Sequence, residues 1–325
     1  MLSFLIRRLN LLLITALILT ILAFVLDRIV TINSHAAISD NRNYLLQYFS
    51  YLWHVLSGNF GVSSLDGKPL FERGLVFFAS TLELCTIALF FSSVVGIPLG
   101  LLAGLFRNTK LDYSIMTVAI VGLALPVFWV SVMAILLPSV LGDILPVDGN
   151  LSLIYDVPVV TGFLLIDTLL VTEQYELFAF IDRIAHLILP GLVLSFFLVA
   201  EIVRLTRHSM TMVMRSNYIQ TAYAKGFSRT KIVFYHALRN ALPPIIPQLR
   251  LQLSTIISFA MTIEIVFNLN GIGTWLYTSF KSGDYLVLPA GMLIISAFIL
   301  ISSISIEVLM MIISPLRRGS LYADK

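Results

Sequence analysis

Apolar runs long enough to cross a lipid bilayer recur from one end of this sequence to the other, and they constrain the fold more than any other feature. They lie at Met1–Leu26 and near Leu75–Phe106, Tyr113–Leu141, Ile184–Val203, Pro243–Phe267 and Val287–Ile313. A helix needs about 20 apolar residues to traverse roughly 30 Å of hydrocarbon. Composition excludes a soluble reading: 58% of the 325 residues are hydrophobic and 12% charged, against about 45–50% and about 25% in soluble domains. The expectation is an all-α integral membrane protein with six spans.

The first run begins like a secretory signal, with Arg7 and Arg8 ahead of an apolar stretch. It is long enough to span, and Asp27 and Arg28 follow it where a small-x-small cleavage site would stand, so it reads as an uncleaved first helix. The apolar stretch Thr161–Val171 is too short to cross and contains Asp167; it is expected outside the membrane or along its surface. The chain therefore divides into a first span (residues 1–30), an outer loop (31–74), a core of five further spans (75–313) and a tail (314–325), all one transmembrane domain. Within the outer loop, Tyr44–Leu56 reads as an amphipathic, aromatic-rich helix suited to the bilayer interface.

Charge sets the orientation. Of 21 Lys and Arg, fourteen fall on the side of the N-terminus, six on the other side, and Arg250 within a span. Acidic residues such as Asp40, Asp66, Asp148, Asp156, Glu173 and Glu176 gather opposite. The positive-inside rule then places both termini in the cytoplasm. A net charge of +3 does not indicate nucleic-acid binding, because the charges sit between apolar runs and make no continuous basic face.

The most informative loop is the basic segment Arg204–Asn240. Asn217 is placed to cap a helix starting at Tyr218. Ile219, Ala222, Tyr223 and Phe227 form an apolar stripe, Gly226 suits a left-handed helix end, and Ser228 starts a second helix through Lys231–Asn240. An apolar stripe outside the membrane needs a partner: the membrane surface, this chain's own helices, or another protein.

Charges within the spans are costly, about 2.5–3.5 kcal/mol each on insertion scales. Glu83, Arg250, Glu264 and Glu307 are therefore candidates for a translocation path, although snorkelling to the interface explains Arg250, Glu264 and Glu201 at little cost. Glu201 and Arg204 have the spacing of an i,i+3 pair. Gly96, Gly100 and Gly104 form a small-residue face, best read as close packing within the chain. Pro98 and Pro126 are expected to kink their helices. The five histidines show no metal-ligand spacing, and the single cysteine, Cys85, has no internal disulfide partner. No G-x-x-x-x-G-K-[ST] phosphate cradle occurs anywhere.

Tyr218-Ile-Gln-Thr-Ala-Tyr-Ala-Lys-Gly226 with His236-Ala-Leu-Arg-Asn-Ala-Leu-Pro243 resembles the cytoplasmic loop of binding-protein-dependent ABC permeases of the dipeptide and oligopeptide type. The resemblance extends over nearly the whole chain: Thr81–Leu84, Gly96–Gly100, Leu125–Trp129, Glu264–Phe267, Gly271–Gly273, Asp284-Tyr285 and Ser314–Arg318. Gly61–Ser64, Gly67–Pro69, Thr161–Phe163 and Ile166-Asp167 look most like the Sap-type subgroup, linked to antimicrobial peptides and to putrescine export.

The resemblance implies a coupling helix that docks on an ATPase, carried by Tyr218, Gln220, Thr221, Ala222, Ala224, Lys225, Gly226, His236, Arg239 and Asn240. Gln220 stands where the broader family often has glutamate, which removes any ion pair expected there. It further implies a second homologous permease subunit, two cytoplasmic ATPases carrying ATP and Mg, a periplasmic substrate-binding protein, and a bacterial inner-membrane location. No cofactor is expected on this chain, and no enzymatic activity of its own. The substrate class stays open among peptide, polyamine and nickel. The different-class alternatives are a stand-alone secondary transporter or channel and a membrane-embedded enzyme.

Overall fold

A computed structural model describes residues 2–33, 43–142, 145–170, 175–243 and 245–313. The elements are all helical: α1 (Leu2–Asn33), α2 (Tyr44–Leu56), α3 (Leu70–Leu105), α4 (Lys110–Ala124), α5 (Val127–Leu141), α6 (Leu164–Leu170), α7 (Glu176–Met214), α8 (Asn217–Ala224), α9 (Arg229–Lys231), α10 (Leu238–Ala241), α11 (Ile246–Phe267), α12 (Ile272–Ser282) and α13 (Val287–Ile313). A π-helical turn, Ile232–Ala237, joins α9 to α10. The only pairing of extended backbone among the described residues is an isolated bridge between Val62 and Pro69.

Among the described residues α3, α7 and α13 are each long and apolar enough to cross a membrane unbroken. α1 has 32 residues and the same character in sequence. Of the other two expected spans, Pro243–Phe267 is the single helix α11, and Tyr113–Leu141 is broken. The run at Tyr113–Leu141 is interrupted between α4 and α5, which meet at 98°. Pro126 does more here than kink a helix. Leu125 is driven to extended backbone (ψ 136°), as the residue before a proline is, and Pro126 (ψ 131°) then opens a new helix. α11 and α12 meet at 63° across Asn268–Gly271. Pro98, by contrast, sits inside a single continuous α3.

α3 and α7 form the centre of the bundle. Lipid tails are as apolar as leucine side chains, so helices in a membrane associate through close packing and polar links. Gly96, Gly100 and Gly104 of α3 provide the close approach. A β-carbon on Gly100 would stand 2.6 Å from Thr206 Cβ and 2.7 Å from the Val203 carbonyl. One on Gly96 would stand 2.8 Å from Ile202 Cγ2, and one on Gly104 would stand 2.8 Å from Met210 Cβ. The small-residue face is therefore an internal seam, as its spacing indicates. We expect Gly100→Val to push α3 from α7 and to cost about 1–3 kcal/mol, read as a lower melting temperature of the detergent-solubilised protein.

Around this seam α11 lays Ile256, Ala260, Ile263 and Phe267 against Leu84, Ala88, Leu194 and Phe197. α12 and α13 close a second cluster on Leu70, Phe78, Ile272 and Trp275. α1 lies at the periphery, in contact with α13 and α2. The short apolar stretch read as non-spanning is the seven-residue α6, packed on α7.

Candidate functional site

Two ends of the bundle carry the residues that sequence reading singled out. The first is the bracket α8–α10. The expected inner loop begins later than Arg204, because α7 runs on as helix to Met214. α7 was expected only over Ile184–Val203, the apolar middle of a 39-residue helix. Towards its basic end α7 is tied to Asp112 of α4. Arg207 Nε and Nη2 donate to the two Asp112 carboxylate oxygens at 2.5 and 2.7 Å, and Asp112 is fully buried.

α8 starts one residue earlier than expected. Ser216 precedes it, and Asn217 is its first helical residue rather than a cap. The helix ends as read: Gly226 has φ +79°, a conformation a side chain disfavours. Ser228 Oγ accepts from the Lys231 amide at 3.4 Å and caps α9. The second helix is not uniform α-helix, since the π-helical turn interrupts it at Ile232–Ala237.

The apolar stripe of α8 splits between two faces. Ile219 and Ala222 are buried against Met210, Ile232, Val233, Ala237 and Ala241 of the same chain. Ser209 Oγ, donating to the Ala241 carbonyl at 2.6 Å, ties α10 to α7. Tyr218, Tyr223 and Phe227 instead remain 38–45% exposed. Gln220, Thr221, Ala224, Lys225, Arg239 and Asn240 are exposed beside them, and His236 is half-buried. Lys231 Nζ stands 4.7 Å from the Phe227 ring centroid, and Phe227 and His236 rings are 5.8 Å apart. Ala222 thus holds α8 on its own chain, while an aromatic and basic face is left uncovered.

The second site is a polar knot at the opposite end of α3 and α7. Arg183, one of the six basic residues assigned by sequence to the outer side, lies within the first turns of α7. It is fully buried on α7 and donates Nη2 to Glu83 Oε2 at 2.7 Å and Nε to the same oxygen at 3.2 Å. Glu83 Oε1 accepts the Leu165 amide at 2.7 Å. Arg183 Nη1 reaches the Asn150 carbonyl at 3.0 Å, and Asn150 Oδ1 accepts the Asn270 amide at 3.0 Å. Ser152 binds Asp182 through its amide and hydroxyl, both at 2.8 Å. The buried guanidinium joins α7 to α3 and to Asn150, and Leu165 and Asn270 attach through Glu83 and Asn150.

The other intramembrane charges are also engaged. Glu264 is buried beneath the α11–α12 corner and accepts the Gly273 amide at 2.8 Å, a carboxylate at the N-terminus of α12. Thr81 Oγ1 accepts the Ile272 amide at 2.9 Å beside it. Arg250 of α11 and Glu307 of α13, weighed separately in the sequence, form an ion pair with each other. Glu201 pairs with Arg204 at 2.5 Å as its spacing indicates, and also accepts Gln252 Nε2 at 3.0 Å. Glu83 and Glu264 are both buried, and each accepts a backbone amide from another segment. No sequence signal pointed to Arg183, Asp112 or Asn150, because each acts through a partner many residues away. Among the described residues there is no cluster of His, Cys, Asp and Glu fit to hold a metal ion.

Residues 96–319 match the family described as binding-protein-dependent transport system inner membrane components. The chain is similar to the putrescine export system permease protein SapB of Escherichia coli strain K12, 36% identical over 325 residues and covering 99% of both chains. It is also 36% identical to the peptide transport system permease protein SapB of Salmonella typhimurium, again over 99% of both. The dipeptide transport system permease protein DppB of Escherichia coli strain K12 is 35% identical over 336 residues, covering 97% of this chain and 98% of that one. Among solved structures, the inward-facing MetNI methionine ABC transporter shares the fold, with a TM-score of 0.53 at 18% identity over 74% of this chain and 95% of that chain.

Proposed function

The chain belongs to the binding-protein-dependent transport system inner membrane components, and from its membership as a permease subunit of an ABC importer we propose that it carries peptides. Its relatives over full length are named for peptide and dipeptide transport, one of them for putrescine export. A multi-pass inner-membrane location follows from the family and from the apolar helices. With the orientation that the distribution of Lys and Arg supports, both termini and the α8–α10 bracket face the cytoplasm.

The observation that carries the coupling mechanism is the two-sided build of α8. Ile219 and Ala222 fix it to α7 and α10, so a push on α8 is felt by the core helices. Tyr218, Tyr223 and Phe227 offer partly exposed aromatic anchors, the residue types that dominate binding energy at interfaces. An ATPase closing on nucleotide moves this face, and the displacement passes through α7 to the seam with α3. Access to the path then switches between the two sides of the membrane. A second, homologous permease subunit completes the path, two ATPases supply ATP hydrolysis with Mg, and a periplasmic binding protein delivers substrate at the end holding the polar knot. This chain has no phosphate cradle of its own, which agrees with hydrolysis on those partners.

The test uses the assembled transporter in liposomes. Tyr223→Asp with Phe227→Asp is expected to weaken ATPase attachment about tenfold or more and to abolish receptor-stimulated ATP hydrolysis. The chain should still insert and fold. Ala222→Asp should instead unseat α8 and lower the stability of the isolated chain as well. Full ATPase retention and normal stimulated hydrolysis in the double variant would refute the docking role, and transport by the purified chain alone would refute the importer reading.

A further inference from the structure

We infer that α2 is a membrane-surface helix whose exposed face lies in the phospholipid interface at the C-terminal end of α1. Leu45, Leu46, Phe49, Trp53 and Leu56 are each 62–74% exposed. No Lys, Arg, Asp or Glu occurs between Tyr44 and Leu56. Such a face is unstable against water and has nothing with which to set the register of a charged protein partner.

Depth along α1 identifies the occupant. Arg8 and Asp27 bracket its apolar stretch, and the 19 helical steps between them rise about 28 Å, close to the roughly 30 Å of a hydrocarbon core. Asp27 and Arg28 therefore mark one boundary of that core. α2 is attached at this level. Tyr48 and Tyr51 pack their rings on Phe24 at 5.6 and 5.5 Å, and the Thr20 and Tyr48 hydroxyls lie 2.8 Å apart. Arg28 donates to Gln47. α1 exposes an apolar surface of its own at Leu17, Ile18, Ile21, Leu22, Val25 and Ile29. Trp53 and Tyr44 supply the amphipathic rings that settle at headgroup level.

The consequence is an anchored arm. α1 touches the rest of the bundle mainly through α13. α2 adds a second attachment, to the bilayer itself, which holds the depth of α1 while the core helices move.

Cys85 is the one cysteine in the chain and is buried, so a Cys85→Ala background accepts single reporters. Nitroxides are placed at Phe49→Cys and Trp53→Cys in the assembled transporter in phosphatidylethanolamine–phosphatidylglycerol liposomes. A control at Leu65→Cys sits on the exposed 57–69 loop. The expected result is several-fold greater accessibility to oxygen, and several-fold lower accessibility to a water-soluble nickel chelate, at positions 49 and 53 than at 65. Water-like accessibility at 49 and 53 would overturn the inference. So would protection from both reagents, which would mean that a partner subunit covers α2. Quenching by brominated lipid of the fluorescence component that Trp53→Phe removes gives an independent reading with no label. Quenching weaker than that of free tryptophan octyl ester in the same vesicles would also overturn it.

Discussion

Glu83→Ala should lower the stability of the solubilised protein by about 3–5 kcal/mol, the usual cost of leaving one member of a buried ion pair alone. The guanidinium of Arg183 has no exposure to solvent, and its hydrogen bonds run to Glu83, Asn150 and Ser80. Removing the carboxylate strands a cation at the junction of α3 and α7. It also frees the Leu165 amide and so loosens α6. The pair itself is a weak source of net stability, because two desolvated charges largely cancel their attraction. Glu83→Leu with Arg183→Met should therefore recover most of the loss. Thermal melting of the single and double variants decides the matter. A Glu83→Ala protein melting with the parent would show that Arg183 finds another partner, and a double variant no better than the single would assign the loss to packing.

Gly273→Ala is expected to be nearly as severe, at about 3 kcal/mol or more, the upper range of overpacking costs. A β-carbon there would stand 2.6 Å from both the Cα and the Cβ of Met261. Backbone on α11 cannot yield as a flexible side-chain end can. α12 must lift from α11, and the Gly273 amide then leaves Glu264, whose carboxylate stays buried with less to hold it. Beyond lower thermal stability, limited proteolysis should cut within residues 268–272 of the variant and spare the parent. An intact corner with parental melting would contradict the packing described for it.

How much of this was legible beforehand differs from residue to residue. The bounds of α2 and α13, the seam of Gly96, Gly100 and Gly104, the turn at Gly226, the cap at Ser228 and the Glu201–Arg204 pair all follow from patterns within a dozen residues. The break at Leu125-Pro126 was half legible: proline signalled a disturbance, but a kink and a 98° turn share the same local chemistry. Their difference depends on what α4 and α5 pack against, α7 on one side and α11 on the other. Within the candidate coupling site, the stripe at Ile219, Ala222, Tyr223 and Phe227 was visible as a period. Which members face inward was not, since the burying surface is built from α7, the π-helical turn and α10.

Hydropathy, helix caps and turn residues act over a few bonds, so reading along the chain reveals the spans, the amphipathic α2 and the family resemblance of the α8 bracket. A buried charge obeys a different rule: it is tolerated only where an opposite charge or hydrogen-bond donors meet it. Glu83 and Arg183 lie 100 positions apart, Asp112 and Arg207 95, and Arg250 and Glu307 57. Those pairings exist only once the helices are packed, and they make these charges ties between helices.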